Sequence, residues 1–118
     1  MIRLLVIYNL PPGSDEEEFL RWRLGEHQES NASMPGVLRT DFARITEAPV
    51  PGAPAPPEGS PPWRFMTIAE WDTREEFESS FYNSALQAEL EENVGRIADA
   101  VFLVTEVLTE TDNRKESS

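Results

Sequence analysis

His27 is the only histidine in a chain of 118 residues, and its spacing makes it the first candidate for proton chemistry. At about 100° per residue it falls near the centre of a helical stripe formed by Phe19, Leu20, Arg23 and Leu24, so its ring is expected to point inward near the helix end. An imidazole there can act as acid or base near neutral pH. The helix C-terminal dipole favours the protonated ring whereas burial favours the neutral one, which leaves its charge state open. The plainer reading is a half-buried histidine bonded to a carbonyl and anchoring the helix, because a lone His carries no partner geometry. Tyr8 and Asn9 close an apolar run and can offer hydrogen bonds at a cavity mouth, or be ordinary strand-end polarity. Arg39 and Arg44 are an odd number of residues apart, so on a strand only one of them can face a pocket; Asp41 shares a face with Arg39 and can pair with it. Trp63, Phe65 and Trp71 alternate onto one face that would suit a flat aromatic ligand, although aromatics at that spacing are more often core.

Other chemistries are disfavoured. The chain has no cysteine, hence no disulfide, thiolate nucleophile or Cys-ligated metal. One histidine offers no zinc set, and the acidic clusters at 15–18 and 75–78 fall at helix starts, where solvated carboxylates are expected. Pro11-Pro12-Gly13 lacks the glycine pattern of a nucleotide loop; no cofactor is expected, and on redox cofactors the sequence is silent. Ten basic residues stand against twenty-two acidic ones, a formal net charge of -12 with no basic cluster, which argues against nucleic acid or an anionic membrane as partner. The N-terminal apolar run is too short for a signal segment or a bilayer span. A cytoplasmic protein is the default expectation.

The elements that must position these residues follow from hydrophobic pattern and breakers. Ile2 to Tyr8 reads as a strand buried on both faces, stopped by Pro11-Pro12-Gly13. Ser14 to Glu17 matches a capping box with Ser14 as the cap, so a helix is expected from near Asp15 to just before Met34-Pro35-Gly36. Val37 to Thr46 reads as a second strand and Trp63 to Trp71 as a third. Between them, residues 48–62 hold seven of the ten prolines and form neither helix nor central strand. Thr73 and Glu76 repeat the capping logic before a short helix through Phe77 and Phe81. Asn83-Ser84 starts another, with Leu86, Leu90, Val94 and Ile97 as its apolar stripe. Val101 to Leu108 is the last strand. The order β-α-β-β-α-β, its second helix broken in two, predicts an α+β ferredoxin-like domain over 1–109, with a four-stranded antiparallel sheet and a flexible tail at 110–118.

Two helices cover one side of such a sheet, yet Ile2, Leu4 and Val6 alternate with Leu5 and Ile7, and Val101 and Leu103 with Phe102 and Val104. An apolar face that large calls for a cover. Pairing with a second copy closes a barrel from two sheets and is expected to enclose an apolar ligand cavity between them. The rival is a monomer sealed by its own proline-rich loop, which is otherwise a tolerated insertion or a stiff lid.

The stretch Ile2 to Tyr8, then Pro12-Gly13-Ser14, then Glu18 to Arg23 and Glu26-His27, resembles the opening of the EthD-like family of the dimeric α/β-barrel superfamily. Met34-Pro35-Gly36-Val37 and Ala69-Glu70-Trp71-Asp72 with Glu75-Glu76-Phe77 are similar to its later segments. The resemblance implies a homodimer and a histidine at position 27 acting in proton transfer. The family's aromatic pair before that histidine is met by Trp22 but not by Arg23. The implied function is a cofactor-free lyase, isomerase or cyclase acting on an aromatic or polyketide-like small molecule. His27 would be its acid–base, Tyr8 and Arg23 or Arg44 would orient a substrate oxygen, and Asn9, Trp63, Phe65 and Trp71 would contribute to binding. The alternatives are a non-catalytic ligand-binding or assembly module, and a cofactor-independent monooxygenase of the same superfamily.

Overall fold

The computed structural model describes residues 1–47 and 62–114. Strand β1 (Ile2–Asn9) leads into helices α1 (Glu16–Leu24) and α2 (Glu26–Ala32), followed by strands β2 (Val37–Arg44) and β3 (Phe65–Trp71). Helices α3 (Arg74–Phe81) and α4 (Ser84–Val94) precede strand β4 (Ala98–Glu106). The strands form one antiparallel sheet in the order β2-β3-β1-β4, the α+β ferredoxin-like arrangement. Directly opposed residues share a face. Ile2, Leu4, Val6 and Tyr8 of β1 join Phe65, Ala69 and Trp71 of β3 on the helix side, where Phe19, Phe77 and Phe81 complete the core.

The expected first helix is two. Asp15, not Ser14, caps α1: its side chain accepts from the Glu17 and Glu18 amides at 3.0 and 3.3 Å, while Ser14 Oγ donates to the Pro11 carbonyl at 2.6 Å. Glu16, Glu17 and Glu18 then sit at the positive end of the helix dipole. Gly25 ends α1 and begins α2, and a Cβ there would lie 3.0 Å from the Arg21 carbonyl oxygen. The break redirects the side chains. Leu24, expected inward, is 62% exposed, whereas Arg23 is 1% exposed. His27 lies in the first turn of α2, not at a helix C-terminus, so the dipole does not favour its protonation.

Beyond α2, Gly36 takes φ +71° in the turn into β2, and Trp71 Nε1 donates to the Pro35 carbonyl at 3.1 Å. Ladder bonds continue past the strand ends: the Ile45 amide donates to the Arg64 carbonyl at 2.7 Å and the Arg64 amide to the Tyr8 carbonyl at 3.2 Å. β4 begins earlier than expected and carries a bulge opposite Ile7 and Asn9, where Asp99 takes φ 55°. Most of the proline-rich stretch, 48–61, and the tail beyond 114 lie outside the described residues.

The face away from the helices is apolar at one end and charged at the other. Leu5, Ile7, Met66, Ile68, Val101 and Leu103 make the apolar end. At the other, the nearly buried Glu70 pairs with Arg3 and, at 3.6 Å, with Arg39, which also meets Asp41 at 3.2 Å. Among the described residues no helix or strand covers this face.

Candidate functional site

The single chain forms a partly open cavity of about 100 Å³ on the helix side of the sheet, a different place from the hollow expected between two paired sheets. Its origin is incomplete cover. Phe102 and Val104 of β4 point toward the helices, opposite Val6 and Leu4, yet stay 36% and 41% exposed. The helices α2 and α4 meet through side chains instead: Ser30 Oγ donates to Glu89 Oε1 at 2.6 Å, and Asn93 Nδ2 stands 3.5 Å from His27 Nδ1. Leu4, Val6, Leu86, Leu90 and Ile97 give the cavity its apolar walls, and its polar groups come from Tyr8, Arg23, His27, Asn31, Thr67, Glu89 and Asn93.

Arg23 is held from three directions. Its Nη1 donates to Gln28 Oε1 at 2.8 Å, its Nη2 donates to Thr67 Oγ1 at 3.1 Å, and its Cζ lies 4.2 Å from the Phe42 ring centroid. Gln28 Nε2 in turn donates to Thr40 Oγ1 at 3.0 Å, tying α2 to β2. Beside this guanidinium, the Tyr8 phenol has its pKa raised by burial, against the opposing pull of Thr67 and the Arg23 charge. It stays neutral at physiological pH, its oxygen accepting from the Arg23 guanidinium and its proton available to donate.

The His27 ring stacks on Trp22 at 4.4 Å between centroids, and Arg96 Cζ lies 4.4 Å from the same Trp22 ring. Burial pushes the His27 pKa down to about 4; the Arg23 charge and, less, that of Arg96 act in the same direction, with Glu89 opposing. The lowered pKa keeps the ring neutral at pH 7. Its contact with Asn93 is longer than the roughly 2.7–3.2 Å usual for N–H donors, so it orients the ring only loosely.

Of the residues singled out by type and spacing, Tyr8, Arg23 and His27 come together on this cavity. The others do different work. Asn9 Nδ2 donates to the Pro62 carbonyl at 2.8 Å and to Asp99 Oδ2 at 3.3 Å, and Trp63 Nε1 donates to the Asp99 carbonyl at 3.1 Å, so both fasten the β4 bulge. Phe65 is wholly buried against Tyr8, Phe19 and Phe42. Trp71 is core, packed edge-on against Phe77. Arg44 is exposed on the edge strand β2 and does not line the cavity. Sequence reasoning missed Gln28, Glu89 and Asn93, which reach the site from α2 and α4. Thr67 had a signal: it is the polar member of the alternation Phe65, Thr67, Ala69 on the inward face. Among the described residues no cluster of three or more His, Cys, Asp or Glu side chains is placed to hold a metal, and no helix is long and apolar enough to cross a membrane.

No family model matches the sequence, and no curated protein does. Solved structures do match. An EthD-family protein from Bacillus halodurans superposes with a TM-score of 0.69 at 17% identity, covering 92% of this chain and 99% of that one. A hydroxynitrile lyase from Passiflora edulis gives 0.69 at 11% identity, over 94% of this chain and 95% of its own. A dimeric ferredoxin-like protein of unknown function from Thermobifida fusca gives 0.61 at 14% identity, over 90% of each chain. At these identities the likeness is one of fold: the chain has the ferredoxin-like fold found in EthD-family proteins.

Proposed function

We propose that this chain is an EthD-like member of the dimeric α/β-barrel superfamily, a homodimer that binds a small molecule in each protomer's cavity and moves a proton with His27. The observation that carries this reading is the convergence of a neutral imidazole, a buried guanidinium and a neutral phenol on one apolar cavity. In a lyase or isomerase step, His27 takes a proton from the substrate while Arg23 and Tyr8 donate hydrogen bonds to the oxygen on which negative charge develops. The low-dielectric lining strengthens both donors. The fold shared with a hydroxynitrile lyase supports enzyme activity by analogy.

Size limits the substrate. A cavity of about 150 Å³ accepts benzene. The inner part, about 100 Å³, takes a group of a few heavy atoms, and the open side beside Phe102 leaves room for a larger body to extend outward.

One observation favours a second reading, a non-catalytic ligand-binding module. A ring with a pKa near 4 is a weak base at neutral pH, where proton transfer is best served by groups that titrate close to the working pH. The experiment that separates the two begins with native mass spectrometry of the purified protein, to identify a molecule that copurifies. Turnover of that molecule is then compared between the parent and His27→Ala. The enzyme reading expects a loss of about 10²-fold or more with the fold intact. Equal turnover in the two proteins removes the catalytic role of His27, and no turnover in the parent leaves the binding module.

A further inference from the structure

We propose that the ligand of this cavity carries a carboxylate, seated against the Arg23 guanidinium, with a short apolar body lying along Leu86, Leu90 and Ile97. The inference rests on the reading that the cavity binds a small molecule and adds the chemical class. Arg23 is 1% exposed, and each group that holds it is uncharged: Gln28, Thr67, the protonated Tyr8 phenol and the face of Phe42. Among the described residues no carboxylate lies within ion-pair distance of it. That is unexpected in a chain where acidic residues outnumber basic ones by twenty-two to ten. Elsewhere the protein pairs its buried charge: Glu70, 6% exposed, is flanked by Arg3 and Arg39.

A guanidinium cannot shed its proton to escape burial, so a buried one needs an anion. Tyr8 does not supply it, because burial keeps its phenol protonated. Glu89 shares the cavity, but it accepts from Ser30 and its charge acts on His27. With Gln28, Thr67 and the Tyr8 oxygen each engaging one N–H, two of the guanidinium's five donors remain for a bound oxygen pair, the geometry that carboxylates match. A ligand carboxylate would also offset the Arg23 charge felt by His27, leaving Glu89 and Arg96 as the charges acting on the ring, and so raise its affinity for a proton. Binding and proton chemistry would then be coupled through one residue.

The test uses a matched pair of probes on the full chain at pH 7, 3-methylbutanoate and 3-methylbutanamide, titrated by NMR. The acid is expected to bind at least about tenfold more tightly than the amide, as suits a charge-assisted pair. Arg23→Gln is expected to bring that ratio close to one, and saturating acid to raise the His27 pKa in the parent but not in the variant. Equal binding of acid and amide to the parent overturns the carboxylate proposal and leaves the cavity reading standing. An acid preference that survives Arg23→Gln overturns the role of Arg23. Failure of both probes to bind removes the proposal together with the reading beneath it. The comparison on the parent needs no variant to fold.

Discussion

Burial and the Arg23 charge hold His27 near pKa 4 where an exposed imidazole titrates near 6.5, so the unfolded chain binds a proton that the folded one refuses. Between those values the unfolded state carries more protons, and stability falls as pH drops. The contribution is complete above about pH 6.5 and lost by about pH 4, on the order of 2 kcal/mol. Urea denaturation of the parent and of His27→Gln at pH 7, 5.5 and 4.5 checks this: the parent should lose more stability than the variant across that interval. Parallel curves would mean that the ring titrates normally. At this scale the site was half legible. Helical spacing put Arg23 and His27 inward and alternation put Tyr8 on the packed face. It could not show that Asn9 and Trp63 are used up on the Asp99 bulge, because those bonds join segments far apart in sequence.

Elements are legible where a cap or breaker is strong, and ambiguous where two signals compete. Ser14 and Asp15 are both good caps, and spacing to Glu17 pointed to the first; the folded chain uses the second, whose carboxylate reaches two amides. Asp15→Ala should therefore cost about 1 kcal/mol and Ser14→Ala less, read from thermal or urea unfolding. Gly36 offers a cleaner case. A Cβ there would meet Glu76 and Trp71 at ordinary contact distances of 3.6–3.7 Å, so the cost of Gly36→Ala comes from its φ of +71° alone, about 1 kcal/mol. Gly36→Asn should recover part of it, since Asn tolerates that region better. Gly25 carried no such advance signal. A glycine within a helical pattern is usually tolerated, and only the direction taken by α2 makes it a hinge between two helices.

At the scale of the molecule, the order β-α-β-β-α-β was enough to fix topology, because connection rules leave few alternatives. Which side holds the cavity was not legible, since that depends on how completely α4 covers Phe102 and Val104. The distinction has an experimental consequence for the proposed dimer. A charge at the centre of the bare face, Ile68→Glu, should give a monomer in sedimentation velocity with an unchanged far-ultraviolet circular dichroism spectrum. Because the cavity belongs to one chain, that monomer should still bind the small acid. A parent that sediments as a monomer at millimolar concentration would contradict the pairing, yet leave the cavity untouched. One small feature reaches further. The Ile45 amide and the Arg64 carbonyl close a ladder rung at the two roots of the proline-rich stretch. Whatever is inserted between those roots therefore starts and ends at neighbouring points on the molecule, on the margin of the sheet beyond the end of β2. A guest peptide or reporter domain spliced there would meet a doorway already the right width, and the host would not have to stretch to admit it.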